Sequence, residues 1–407
     1  MKSSTRHLGG ARRDGVSINF TVAVLAPSFP PAFRGGGPAR TLQALVRGAP
    51  SGIRLMVFAP DKDAGETTRL PVVRNKWSKQ GAHDAYFLSA DQPLQVLRAI
   101  AALRREKPNV VYLNSLFNTV FSVLPLMLWG FGFFGSAQLL LAPRGELDRG
   151  ALALKHRKKR LYLRLLLLLP FHRRIVWHAS SAMERSAVIR AFGQDANVLV
   201  RENDTLLPPD PISPTRSGDR ASLVFLSRIS RKKGLDIALE ALQNVKAEVD
   251  FDIYGPHEDA SYLSECRELI TRLPATVHAR ILGPIGPQGV RETLANYDAM
   301  VFPTHGENFG HVVAEALSGS CPVLCSSHTL WSPILAAGGG VVVEGDNAVA
   351  WSAVIEEWAA RSPVARDQAR TSAGEAYRRW FAEDKGAHVL EMLRGFALRK
   401  TVSKGAR

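Results

Sequence analysis

The chain alternates short, almost unbroken apolar runs with amphipathic stretches, and it does so in two series. FTVAVLAP (20–27), RLMVFAP (54–60), NVVYLNS (109–115), AQLLLAP (137–143) and RIVWHASS (174–181) hold apolar residues consecutively rather than at every second position. A strand open on one face alternates, whereas a strand covered on both does not, so these runs read as parallel strands. PARTLQALVRGA and PLQVLRAIAALRREKP between them have helical spacing, which makes the first half β-α-β-α. ENDTLLPPDPISPTRSGDRAS (202–222), rich in Pro, Asp and Ser and without period, reads as an interdomain linker. The alternation then restarts with LVFLSRI (223–229), VDFDIYG (249–255), VHARILG (277–283), AMVFPT (299–304), PVLCSS (322–327) and GGVVVE (339–344). Helices are expected at 234–246, 260–273, 287–296 and 310–318, and from about 346 to 395 the chain reads as helical.

Two doubly wound α/β halves suit a length of 407 residues, because single cores rarely grow past about 250 to 300. Lysine and arginine total 52 against 37 acidic residues, a formal charge of +15. Such a balance draws anionic small molecules, nucleic acid or a negative membrane face. Cys266, Cys321 and Cys325 make neither a disulfide framework nor a four-ligand zinc site, which implies a reducing, cytoplasmic setting. MKSSTRHLGGARRDGVSI is polar and basic and lacks the apolar core of a secretory leader, so residues 1–17 are expected to be a disordered tail. Ser115 to Pro143 carries no charge and is long enough to span a bilayer. Asn118, Pro125, Gly130, Gly132, Gly135 and Ser136 instead punctuate it into strand, helix and strand.

In sheets of this kind ligands bind beyond the carboxyl ends of the strands. After AMVFPT comes THGENFGHVVAEALSG (304–319), which places Glu307 in a glycine-containing loop and Glu315 eight residues on, in a helix. Helix-start amides near Phe309, Gly310 and His311 suit an anion, and carboxylates suit pairs of sugar hydroxyls. A plain helix-terminus charge at Glu307 and a solvated Glu315 would fit the same spacing. Arg228, Arg231, Lys232 and Lys233 in SRISRKKGLD are the makings of a diphosphate site, or a solvated basic turn. Gly35, Gly36 and Gly37, followed by Pro38 at a helix start, let backbone approach a phosphate but are not the dinucleotide fingerprint. Asp250 and Asp252 lie within a strand on one face, so no metal site is expected from them. LKHRKKRLYLRLLLLLPFHRR (154–174) sets Lys155, Arg157, Lys158, Lys159, Arg160 and Arg164 ahead of a pure leucine run. It suits either an anionic lipid surface or a helix that buries its leucines; no aromatic interleaving supports nucleic acid.

Arg228 and Lys233, then YG at 254–255, LG at 282–283 and E-x7-E in GENFGHVVAEALSGSCPV, resemble the retaining glycosyltransferases of family four over roughly 220–345. The first half is similar to that family through the Gly35–Gly37 loop, APRGEL (142–147) and HASSAMER (178–185). The resemblance implies the GT-B fold: two Rossmann-like domains facing a central cleft. It puts an acceptor domain at 18–205, a linker at 206–222, a donor domain at 223–375 and a final helix at 376–407 returning to the first domain. It also implies transfer from a UDP- or GDP-sugar with retention, without metal or other cofactor, onto a glycan or polyprenyl-lipid-linked acceptor in cell-surface polysaccharide biosynthesis. Glu307, Arg228 and Lys233 would be catalytic. Gly36, Gly37, Tyr254, Gly255, Leu282, Asn308, Phe309, Gly310, His311 and Glu315 would bind the donor, with Glu307 at the sugar and Glu315 at the ribose. Where many members carry a histidine this chain has PRGEL, leaving Arg144 and Glu146 as candidates on the acceptor or sugar side; RENDT replaces the NG common before the linker. The implied setting is the cytoplasm, peripheral on the membrane's inner face through 154–174. A sugar-nucleotide epimerase on the same fold, or a non-catalytic nucleotide-sugar or nucleic-acid binder, remains the alternative; a phosphorylase would need a lysine-bound pyridoxal and a longer chain.

Overall fold

The computed structural model describes residues 20–148, 151–152, 156–214, 217–327 and 329–395. The expected tail at 1–17 lies outside them. The chain divides into two units, one ending at Thr205 and resuming at Lys385, the other running from Leu206 to Asp384.

The first unit holds eight strands: β1 Phe20–Leu25, β2 Ile53–Pro60, β3 Trp77–Gln80, β4 His83–Leu88, β5 Val110–Leu113, β6 Gln138–Leu141, β7 Val176–Ala179 and β8 Asn197–Val200. They lie in the order β3-β4-β2-β1-β5-β6-β7-β8, parallel throughout except for the antiparallel β3–β4 edge. Five were legible as apolar runs. β3 and β8 were not, because as edge strands they have half-exposed, mixed sequences, and β4 opens on the polar pair His83–Asp84. Apolar clusters cover both faces of the sheet, as continuous apolar strands require. Val389, Leu390 and Leu393 complete one of them beside Val22, Leu42 and Val57.

The second unit is a fully parallel sheet of six strands, ordered β11-β10-β9-β12-β13-β14. They are β9 Ala221–Leu226, β10 Val249–Tyr254, β11 Val277–Gly283, β12 Ala299–Phe302, β13 Val323–Ser326 and β14 Gly340–Val343. The order reverses between β9 and β12, so the loops leaving these two strands stand side by side at a topological switch point.

The unit boundaries differ from the sequence reading in two places. Residues 206–214 are laid on the second unit: Tyr377 donates to the Pro208 carbonyl, Arg291 to that of Asp210 and Ser320 to that of Ile212. At the other end, the expected boundary at 375 falls inside one helix, Pro363–Ala382, and the amphipathic stretch beyond it breaks at 383–388, where Gly386 has φ 72°. That helix buries Arg366, which reaches the carbonyls of Gly218 and Asp219 and pairs with Asp298 at 3.4 Å. Ser115–Pro143 folds as a π-turn at Thr119–Val123 and a helix at Leu124–Gly130 between strands. No helix among the described residues is long and apolar enough to cross a membrane.

Candidate functional site

In the second unit the chain leaves β9 through Ser227 and Arg228 and makes a single 3-10 turn at Arg231–Lys233. It enters helix Leu235–Leu242 at Gly234, whose φ is 70°. A Cβ at Gly234 would meet the Pro303 carbonyl oxygen at 2.0 Å, so only glycine allows this turn to press on the end of β12. The backbone N–H of His305 and the Thr304 hydroxyl both donate to the Lys232 carbonyl, at 2.9 and 3.2 Å. These bonds knit the two switch-point loops together. They bring the Lys233 ammonium onto the Glu307 carboxylate, an ion pair that links residues 74 positions apart.

Lys233 is 8% exposed. Burial lowers its pKa, the Glu307 carboxylate raises it, and the neighbouring charges of Arg228 and Lys232 lower it again. The net direction is down because burial outweighs the stabilisation that the Glu307 contact gives the ammonium. Thr304, fully buried, also has its hydroxyl 3.1 Å from the same carboxylate oxygen, so its one proton is shared between Glu307 and the Lys232 carbonyl. Arg228 is half-exposed and pairs with Glu258. Sequence reasoning missed Thr304 and Glu258; a polar residue closing an apolar strand run was the available signal for the first.

Helix His311–Ser318 begins just after Glu307. Its first residue follows Gly310 at φ 78°, and no side chain caps it, leaving backbone donors at that end. Phe309 is buried, with its carbonyl accepting from the Trp331 indole and its ring 4.6 Å from that of His311. Asn308 and His311 are half-buried. Glu315 is 7% exposed, so the solvated-residue alternative does not hold. Tyr254 meets the Tyr297 hydroxyl at 3.0 Å, and Tyr297 donates to Asp252 at 2.7 Å. Arg280 grips the same carboxylate at 2.8 and 3.0 Å, so Asp252 is engaged within the fold. Gly255, at φ 147°, donates to the Gly283 carbonyl; a Cβ there would lie 1.7 Å from the Ser227 carbonyl oxygen. Leu282 is 48% exposed at the end of β11.

In the first unit, Gly36 has φ 64° and Gly37 opens helix Gly37–Arg47. Asp63, itself buried, accepts from the backbone N–H of Phe33, Arg34 and Ala64 and so organises that glycine loop. Arg144 and Glu146 follow β6 but do different things. Glu146 accepts from the Ser115 hydroxyl and from the amides of Leu116 and Phe117, and burial raises its pKa. Its carboxylate is thereby spent on bracing the 115–117 loop. Arg144 sits at φ 53° with its guanidinium on Asn114, Asn203 and Tyr112. Glu184, from HASSAMER, accepts from the amides of Gly145 and Ser180 and holds this loop to the one after β7.

The basic stretch forms helix His156–Leu168 and a 3-10 turn at Pro170–Arg174; Lys155 lies outside the described residues. Among the described side chains of the helix, only Leu166 is fully buried. Leu161, Leu165 and Leu168 are 58, 52 and 78% exposed at spacings of four and three, which puts them on one stripe. Arg157, Lys158, Arg160 and Arg164 are exposed on the same helix. Phe131, 78% exposed, packs edge-on against Phe171 just past the leucines.

Against known proteins, residues 210–379 match the model described as Glycosyl transferases group 1. That segment, nearly the whole second unit, belongs to this family. The chain is 27% identical over 197 residues to a D-inositol 3-phosphate glycosyltransferase of Xylanimonas cellulosilytica, covering 44% of this chain and 46% of that protein. It is 27% identical over 224 residues to a phosphatidyl-myo-inositol mannosyltransferase of Mycobacterium leprae, covering 52% and 57%. The matches thus span about half the length of these relatives. The solved structure of Anabaena HepE with UDP and glucose superposes at a TM-score of 0.66 with 17% identity, covering 93% of this chain and all of that one. The fold is therefore GT-B, with two doubly wound parallel-sheet domains.

Proposed function

We propose that the protein is a retaining, metal-independent glycosyltransferase that moves a sugar from a UDP- or GDP-sugar to a glycan or lipid-linked acceptor in cell-surface polysaccharide biosynthesis. The observation that carries this reading is the convergence of Lys233, Arg228 and Glu307 at the switch point of the group 1 segment. Transfer leaves negative charge on the departing nucleoside diphosphate, and fixed cations in a water-poor site offset it without reorganisation. Lys233 and Arg228 are the diphosphate partners, and the uncapped helix start at Gly310–His311 adds backbone donors. Glu307 holds the donor sugar and Glu315 the ribose, while Tyr254 and Leu282 line the base. On donor binding, Lys233 shares its charge between Glu307 and the diphosphate. The names of the two curated relatives, and HepE with its UDP and glucose, support the nucleotide-sugar assignment. The test is a panel of nucleotide sugars titrated against the full chain, with Glu307→Ala and Lys233→Ala alongside. One donor class should bind the unaltered protein and lose affinity in both variants; equal binding by the variants would sink the assignment.

The same reading places the enzyme on the inner face of the membrane. Leu161, Leu165, Leu168 and Phe131, rimmed by Arg157, Lys158, Arg160 and Arg164, pair an apolar stripe with basic charge, the composition of an interfacial helix. Vesicle flotation should show binding to anionic but not zwitterionic bilayers. Either Leu165→Glu with Leu168→Glu, or Lys158→Glu with Arg160→Glu, should abolish it, with donor binding intact. Flotation indifferent to both changes would remove the membrane assignment.

A further inference from the structure

The carboxyl ends of β5 and β6 carry a second cation whose surroundings differ in kind from those of Lys233. Arg144 Nη1 donates to Asn203 Oδ1 at 2.7 Å, Nη2 to the Tyr112 hydroxyl at 2.8 Å and to Asn114 Oδ1 at 2.9 Å, and Nε to the same oxygen at 3.3 Å. Every one of these partners is uncharged. Tyr112 hydrogen-bonds onward to His178 Nδ1 at 2.5 Å, and His178 Nε2 to the Arg201 carbonyl at 3.1 Å. The consistent arrangement has Tyr112 accepting from Arg144 and donating to Nδ1, with the His178 proton on Nε2. Burial raises the Tyr112 hydroxyl to about 12 and lowers His178 to about 3, so neither becomes a counterion or a competing cation near neutral pH. The nearby Glu184 carboxylate is occupied by the amides of Gly145 and Ser180 and the Ser180 hydroxyl. Among the described residues no carboxylate forms an ion pair with Arg144, and Asn114 Nδ2, buried beside it, has no acceptor.

The patch is therefore rich in donors and poor in acceptors, and it holds a guanidinium with no carboxylate in direct contact. Neutral dipoles fix the guanidinium's orientation without neutralising it, and the chain accepts a left-handed, non-glycine residue at φ 53° to put it there. We propose that Arg144 is an oxyanion site taking a phosphate-type group, framed by Tyr112, Asn114 and Asn203. On the transferase reading, on which this last assignment rests, the phosphate belongs to the acceptor rather than to the donor. A fork-shaped guanidinium suits phosphate better than a single hydroxyl, and a charge-assisted bond returns what the missing counterion withholds.

Calorimetric titration of the full chain with UDP, and of the UDP-saturated chain with inorganic phosphate, tests this. Two variants matter. Arg144→Gln removes the charge, while Asn114→Asp keeps the arginine but supplies a carboxylate at the same Oδ position and costs no hydrogen bond, since Nδ2 makes none. The proposal predicts that phosphate binds on top of UDP. Both variants should weaken phosphate about tenfold or more, leave UDP within twofold, and in Asn114→Asp raise the melting temperature. If the variants weaken UDP and phosphate does not add to it, the oxyanion site stands and the assignment to the acceptor is overturned. If Arg144→Gln lowers the melting temperature and neither ligand responds, Arg144 is a brace and the proposal fails. Lys233→Ala, run in parallel, isolates the donor reading: UDP affinity unchanged there would overturn that reading without touching the Arg144 result.

Discussion

Lys233 in the second unit and Arg144 in the first are both cations at the ends of parallel strands, yet they are held in opposite ways. Lys233 is buried against a carboxylate and Arg228 beside it is paired with Glu258, so charge is matched inside the protein and must be reapportioned when an anion arrives. Arg144 is held by an alcohol and two amides, so its geometry is complete while its charge is not. The first arrangement suits a charge that develops during a reaction; the second suits a charge already present on a ligand.

Removing one partner from each site sharpens this contrast. Glu307→Ala strands the buried Lys233 ammonium and should cost about 3–5 kcal/mol of unfolding free energy in urea titration. Tyr112→Phe deletes a neutral partner of Arg144 and leaves single hydrogen bonds unmade, a cost of about 1–3 kcal/mol. Equal losses would break the distinction. The two cations should also part in their response to pH. The Lys233 pKa is lowered from 10.5, chiefly by burial. Its protonated fraction in the free protein therefore falls as pH rises through a value below the ordinary lysine range, and UDP affinity should fall with it. Phosphate binding at Arg144 should show no loss over that same interval, because a guanidinium stays charged. Smallest of all, Arg228→Ala should change stability by less than about 1 kcal/mol, its pair with Glu258 being surface-exposed, while still weakening UDP.

How much of this was legible in the sequence follows from what each residue needs. Eleven strands announced themselves because burial on both faces demands unbroken apolar runs, whereas β3, β4 and β8 carry mixed or polar-led sequences that resemble loops. The break at 383–388 was hidden because Glu383, Asp384 and Gly386 interrupt an otherwise helical spacing too briefly to stand out. The leucines of 154–174 were readable as either buried or lipid-facing; only the packing shows that Leu166 turns in while Leu161, Leu165 and Leu168 stay out. Glu307 and Lys233 could each be picked out as candidates, but their contact spans three crossovers and no local pattern records it. Arg144 and Glu146, two residues apart, looked alike in sequence. The left-handed turn sends one carboxylate inward to the 115–117 loop and leaves the guanidinium at the strand ends.

In the proposed site Lys233 serves the diphosphate and Glu307 the sugar. UDP, which has phosphates but no sugar, separates the two roles in one titration at neutral pH. Lys233→Ala should lose UDP affinity by about tenfold or more. Glu307→Gln should hold UDP as well as or better than the unaltered protein, since a rival for the ammonium is gone, and should weaken only the intact nucleotide sugar. Matching losses of UDP in both variants, or none in Lys233→Ala, would contradict that division of roles.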